Sequence, residues 1–531
     1  MKRKELILLA SLMSAFAIAS CGTPSTSSDA AQTSEEETPV YDFETIFTDN
    51  HEKTLEVYDP SEPTKNGVIS YDILQNVGEK NYMKISLSTN VNLVGHITYT
   101  KEDDSSTSND EKFFIEANQE EFVTFLDAYR LGAFGAYRKT IRKITLQNVD
   151  STKKGNVTLK SVAFSSRKYS PDEELFLDDG TTKVGTSLGL GGAITYVARL
   201  GVKEYIDENE NTQFGRNYDS TKNDLISEEG NLVNEYDLGR EIQQSFYWPV
   251  KSVNGYNPTS EQKYPGDLNY NPIQCGSAGS VGPQIVDYHA NSKEIYVKAY
   301  GQDWYLVNQV DATYFETTIT FGEAGVVKVN NKITNFCQFI NTSGLEFVKQ
   351  ESPAFYSSYP LNYFYAETDE GTIFDENLSP MTGSHPTKTS LNDAVSSDTY
   401  NYKISESRIK DKWIAFVNEK KFGLGIYNPT ADYFNASRGW SSIRYYDGPN
   451  STPHNDFYKG DINDFVPSSF ANNYDYASTA INCQMIDFVP LDFDYALFAG
   501  DVVEMKAAFK KLNTSGEMTR KNIAWPTREE A

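Results

Sequence analysis

The chain has 531 residues, 74 acidic against 48 basic side chains, a formal net charge of -26 and an aromatic content of 13 %. So acidic a body repels phosphate backbones and anionic lipid heads, which argues against nucleic acid as a partner and against a basic membrane-docking patch. Four cysteines and five scattered histidines form no CxxC, HExxH or mixed cluster, so neither a metal centre nor a cofactor is expected.

In chain order, Lys2, Arg3 and Lys4 precede an apolar run from Leu6 to Ala19. That run is too short to span a bilayer but suits the h-region of a signal peptide. It ends in Ile18-Ala19-Ser20-Cys21-Gly22, small residues before a cysteine. The pattern resembles the bacterial lipobox. The resemblance implies removal of residues 1–20, diacylglycerol on the Cys21 thiol, and a lipid-anchored protein on the extracytoplasmic face of a cell membrane. The acyl anchor is then the sole membrane attachment, and the mature charge is about -28 once three bases and one acid are lost. Residues 21–40 carry almost no large apolar side chain before Val40, which predicts a disordered tether.

Beyond the tether, Met83 to Leu87, Ile141 to Leu146 and Val157 to Phe164 alternate apolar and polar, as half-buried strands do. Residues 41–168 are expected to form a small β-sandwich. Gln119 to Tyr129 fits a short helix or a strand. Ser170 to Glu174 reads as a linker or strand-entry turn. Residues 169–531 are expected to form a large β-sandwich. Thr313 to Phe321 and Val326 to Phe336 flank the turn Gly322-Glu323-Ala324-Gly325 and read as a hairpin. Trp413 to Val417 and Phe422 to Tyr427 read as another, and Ile486 to Phe498 as late strands. Asp501 to Leu512 is the best helix, with Val502, Met505, Phe509 and Leu512 on one face and Asn513 and Gly516 as stop signals. The fold class is therefore all-β: a small N-terminal sandwich, a large supersandwich and a short C-terminal helix. Cys275, Cys337 and Cys483 are expected as three buried thiols, or as one disulfide with a spare.

The densest polar stretch is Asn231 to Trp248. Planar donors and acceptors on Arg240, Gln243, Gln244, Asn271 and Gln274 suit vicinal hydroxyls, and Tyr247 and Trp248 can supply a stacking floor. If Asp237 to Tyr247 is extended, Asp237, Glu241 and Gln243 face one way and Arg240 and Gln244 the other. Asp237 and Arg240 can equally form an internal ion pair that fixes a loop. Glu316 lies within an apolar, threonine-rich hairpin and Glu351 beside aromatics and Pro353. Carboxyls in such company are expected to have raised pKa values, as a general acid needs, although each also fits a solvated strand face. Asp237 with Glu316 or Glu351 is the preferred acid/base set for cleaving a glycosidic bond. Trp413 opens a hairpin and should be core, whereas Trp440 in a loop-like stretch is the better exposed platform.

The segments GGAITYV (191–197), NLVNEYDLGREIQQSFY (231–247), NPIQCG (271–276), ESPAFY (351–356) and WIAFVNEKKFGLGIYNP (413–429) resemble secreted bacterial proteins with a mutarotase-like supersandwich. The resemblance covers roughly residues 175–500, and Cys275 departs from the glycine of the pattern. It implies glycan cleavage or binding by analogy of fold. The first expectation is a surface-anchored glycoside hydrolase acting on a polysaccharide or oligosaccharide. The alternatives are a non-catalytic glycan-binding lipoprotein and a polysaccharide lyase, which would need a Tyr or His base beside a cationic pocket.

Overall fold

The computed structural model describes residues 42–59, 61, 67–77, 80–100, 109–126, 140–200, 218–219, 224–225, 231–233, 241–246, 271–276, 282–303, 310–323, 325–337, 348–357, 361, 363–376, 402–438, 475–483, 486–518 and 522–523. The all-β expectation holds: described residues are mostly strand, with one α-helix, Val502–Ser515.

Near the N-terminus two sheets enclose a core. One runs Glu44–Phe47, Gly155–Ser165, Tyr82–Thr89, Glu121–Phe125, with Glu52–Leu55 also pairing Gly155–Ser165. The other runs Val68–Asn76, Thr140–Asn148, Leu93–Thr100, Asn109–Ile115. The alternating segments at 83–87, 141–146 and 157–164 are strands, and Glu121–Phe125 resolves the helix-or-strand question in favour of a strand. Ile85, Leu87, Leu93, Ile97, Ile144, Leu146 and Leu159 fill the space between the sheets. Val286, Tyr300, Tyr314 and Phe336, from later in the chain, join the same core.

The larger part is built on an 11-stranded sheet. Its path is Pro272–Ile273, Glu294–Asp303, Val310–Phe321, Val327–Asn335, Leu491–Asp501, Phe422–Tyr427, Ile409–Val417, Tyr363–Thr368, Gly371–Asp375, with Ile285–Ala290 also pairing Glu294–Asp303 and Asn522–Ile523 pairing Leu491–Asp501. Both predicted hairpins are present as antiparallel pairs. A four-stranded sheet, Val348–Ser357, Asp475–Cys483, Tyr433–Arg438, Tyr402–Ser405, packs its apolar face on this large sheet. Phe355 stacks on Phe416 and Phe364 on Tyr402 across the gap. A three-stranded sheet, Glu174–Asp178, Thr182–Ser187, Ile194–Arg199, contributes Leu175, Val184 and Val197 to the same core.

The helix Val502–Ser515 starts where the Asp501 side chain accepts from the Val503 and Glu504 N–H groups, and Glu504 reaches back in a capping box. It runs through Asn513 and ends at Gly516, whose φ of 63° is the left-handed conformation that glycine adopts without penalty. Val502, Met505, Phe509 and Leu512 are buried against Trp413, Tyr427 and Phe498. Gly425 makes this docking possible, since a Cβ there would sit 2.9 Å from Phe509 and 3.0 Å from the Met505 sulfur. Trp413 is core, as expected. Cys275, Cys337 and Cys483 are buried and form no disulfide. Among the described residues no helix is long and apolar enough to cross a membrane.

Candidate functional site

The segment 241–246 is the junction of the fold. Ile242 pairs with Ile194, Gln243 with Ala354 and Ser245 with Ile273, all as antiparallel bridges. Backbone bonds fix it on both sides: Gln243 N–H to the Ala354 carbonyl (3.1 Å), Ala354 N–H to the Gln243 carbonyl (2.8 Å) and Phe246 N–H to the Pro272 carbonyl (3.1 Å). Asn428 Nδ2 donates to the Ser352 carbonyl (2.9 Å), which ties in the strand that ends the 413–429 segment. The described parts of the five segments singled out in the sequence therefore meet at residues 241–246.

Alternation divides this junction into two faces. On the inner face, Gln244 Nε2 donates to Thr317 Oγ1 (2.9 Å) and to the Glu316 carbonyl (3.2 Å). Gln274 Nε2 donates to the same Thr317 hydroxyl (2.9 Å) and to the Gly191 carbonyl (2.9 Å), while its Oε1 accepts from the Gln244 N–H (3.1 Å). Gly191 is required there: its φ is 62°, and a Cβ would lie 2.4 Å from the Gln274 carbonyl oxygen. Both amides are fully interior. Where substrate-binding amides were expected, the Gln274 amide bonds the chain to itself through both its ends, and the Gln244 Nε2 does the same while Gln244 Oε1 has no partner among the described residues.

Glu316 is likewise corrected. It points from the opposite face of Val310–Phe321 to Thr317, towards the N-terminal core. There Lys298 (3.5 Å) and Lys332 (3.8 Å) flank it and Tyr296 donates a hydrogen bond (2.8 Å). Lys332 also pairs with Glu116 from the N-terminal sheets. Burial pushes the Glu316 carboxyl up, but the two ammonium groups and the Tyr296 hydroxyl outweigh burial and hold it below the ordinary glutamate value. It is an ionised structural carboxylate, not a poised general acid. Tyr296, buried against this negative charge, is pushed well above the ordinary phenol value. Glu351 lies on the four-stranded sheet with its carboxylate bonded by Tyr476, whereas the Glu316 carboxylate faces Lys298 and Lys332. Cys21, Asp237, Arg240, Tyr247, Trp248 and Trp440 lie outside the described residues.

On the outer face, cross-strand pairing lines up polar groups in rows. Lys403, Asn435, Ser478, Ala354 and Gln243 are successive partners. The neighbouring row is Ser405, Tyr433, Ala480 and Glu351. The Tyr476 hydroxyl donates to Glu351 Oε1, and the Tyr476 and Tyr356 rings lie 4.8 Å apart. The Lys403 ammonium sits 4.8 Å over the Tyr433 ring. Gln243 Oε1 accepts from the Cys275 N–H (3.4 Å), and the Cys275 thiol donates to Glu241 Oε2 (3.2 Å). Asn435 donates to Ser478 (3.1 Å), while its Oδ1 is buried without a hydrogen-bond partner among the described residues. Ser245 Oγ, Asn271 Oδ1 and both amide atoms of Gln302 are in the same condition.

Of the expected site residues, Gln243, Asn271 and Glu351 belong to this outer face. Glu241 and Ser245 lay in the polar stretch but were given no role, and Gln302, Lys403, Asn435, Tyr433 and Tyr476 were not singled out by the sequence. The available signal was polar or aromatic residues at alternate positions of strands whose other positions are apolar, as in Tyr433-Phe434-Asn435-Ala436. Among the described residues no three His, Cys, Asp or Glu side chains gather as a metal site.

No family model matches the chain, and no curated protein matches it. Among solved structures it is similar to the glycoside hydrolase domain of Endo-D from Streptococcus pneumoniae R6, at 12 % identity and a TM-score of 0.14. The match covers 51 % of this chain and 37 % of that one, so the chain spans well under two thirds of its length. A superposition that loose carries no information on fold or activity.

Proposed function

We propose that the outer face of the four-stranded sheet, continued through residues 241–246, binds a glycan, and that the chain cleaves it as a glycoside hydrolase. The observation that carries the reading is the concentration of amide, hydroxyl, phenol and carboxyl groups on one face, including a buried Asn435 oxygen with no partner. Interior polar atoms are normally paired, so an orphan acceptor beside a hydroxyl is suited to a ligand that brings its own hydroxyls. Glu351 supplies one reacting carboxyl, and the Tyr476 hydroxyl donates a hydrogen bond that orients it. The second carboxyl comes from the segment that carries Asp237 and Glu241. Lys403 beside Tyr433 favours the lyase alternative, since a phenol base next to an ammonium group is what proton abstraction from a uronate requires. Export and acylation at Cys21 complete the proposal and place this face where extracellular glycans are met.

The test is release of reducing ends from a polysaccharide panel by residues 41–531, against Glu351→Gln, Asp237→Asn, Glu241→Gln and Glu316→Gln. Hydrolysis predicts losses of about 10²–10⁴-fold for Glu351→Gln and for one of the 237 and 241 variants. Glu316→Gln stays active wherever it is folded. Products absorbing as unsaturated uronates would establish the lyase instead, and unchanged release by Glu351→Gln would remove the site.

A further inference from the structure

The row that begins at Ser245 extends beyond the carboxyl site. Ser245 pairs with Ile273, and Ile273 pairs with Gln302. The three side chains therefore stand on one side of three adjacent strands, with Asn271 two residues before Ile273 on the same side. Ser245 and Gln302 are buried, and Ser245 Oγ, Gln302 Nε2, Gln302 Oε1 and Asn271 Oδ1 have no hydrogen-bond partner among the described residues. By contrast, Gln244 and Gln274 across the same strands are held by the Thr317 hydroxyl. Ser245, Gln302 and Asn271 thus bring four orphan atoms to one side of the junction, with the apolar Ile273 between them; across the strands Gln244 Oε1 is also without a partner among the described residues.

We propose that Ser245, Gln302 and Asn271 form a saccharide subsite, with Ile273 as its floor, that takes one uncharged pyranose residue. This rests on the glycan reading of the neighbouring Glu351 face and adds to it a position and a substrate class. Chemistry selects the class. The set offers an amide donor, two carbonyl acceptors and a hydroxyl that both gives and takes, which matches sugar hydroxyls. None of the three polar side chains carries a charge for an anion or a cation. Size agrees as well. Two strand spacings put Ser245 and Gln302 about 10 Å apart, room for one ring with a hydrogen bond of about 2.8 Å at each end. The C–H face of such a ring lies on Ile273.

The experiment is saturation-transfer NMR of residues 41–531 with glucose, galactose, mannose, xylose and N-acetylglucosamine, and with glucuronate and galacturonate. Ser245→Ala, Gln302→Leu and, as a control on the exposed 322–325 turn, Glu323→Gln are compared after a melting curve shows each folded. At least one neutral sugar is expected to bind, at least 10-fold more weakly to Gln302→Leu and to Ser245→Ala, and equally well to Glu323→Gln. Neutral-sugar binding that is indifferent to both Gln302→Leu and Ser245→Ala overturns the subsite, as does binding of uronates only. In those cases the glycan reading at Glu351 survives. No binding by any sugar removes both. If Gln302→Leu does not fold, Ser245→Ala decides alone.

Discussion

Glu316→Gln distinguishes a structural carboxylate from the general acid that the sequence suggests. The carboxylate is 13 % exposed and lies 3.5 Å from Lys298 and 3.8 Å from Lys332. At an effective dielectric of about 20, each contact is worth roughly 4–5 kcal/mol before desolvation is subtracted. The net sign is favourable, because the carboxyl is held below its ordinary value in spite of burial. The neutral amide removes that attraction and leaves Lys298 buried beside Tyr314 (4.2 Å to the ring), while Lys332 keeps Glu116. Removing one member of a buried ion pair costs about 3–5 kcal/mol, and the surviving Lys332–Glu116 pair puts this case near 3 kcal/mol. The pH sign follows from the downward shift. The contribution is present above the unfolded value, about 4.5, and fades as pH falls through the lower folded value. Urea unfolding at pH 7 and near pH 3.5 should therefore show a large difference between wild type and variant at neutral pH, and a smaller one in acid. A loss under 1 kcal/mol at pH 7, or a difference that does not shrink in acid, would refute the structural role.

Three further outcomes are expected. Phe509→Ala empties the contact with Trp413, Tyr427 and Phe498 and should cost about 3–5 kcal/mol in urea unfolding; Gly425→Ala, which overpacks the same contact, should cost about 1–3 kcal/mol. Gln274→Leu leaves the Gln244 N–H and the Gly191 carbonyl unpaired in the interior, so a loss of about 2–4 kcal/mol is expected, and a neutral result would show those groups are hydrated. Cys275, Cys337 and Cys483, all buried and none in a disulfide, should resist a thiol reagent in the native protein and react together on unfolding; rapid labelling of one would contradict its burial.

Strand alternation made the hairpins at 313–336 and 413–427 legible, and the apolar stripe Val502, Met505, Phe509 and Leu512 with Gly516 beyond it made the helix legible, because these signals are local. The helix runs past Asn513 because Gly516, not Asn513, supplies the left-handed stop. The junction was legible only as composition. The polar runs at 241–247 and 271–276 and the 351–356 segment do meet, but which amide faces inward depends on pairing between residues far apart in sequence. Gln243 and Gln244 are neighbours with opposite fates for that reason. Glu316 misled because its two lysines come from adjacent strands, and a linear reading shows only its apolar neighbours. Tyr476, Asn435 and Lys403 carry no local motif and become a group only through cross-strand register.

Glycan binding on the outer face is tested most directly by a crystal structure of residues 41–531 carrying Glu351→Gln, soaked with an oligosaccharide that the active protein cleaves. Sugar rings are expected on that face, with hydroxyls at Asn435 and Gln243 and one ring over Ile273 between Ser245 and Gln302. Sugar bound elsewhere with this face empty would contradict the claim.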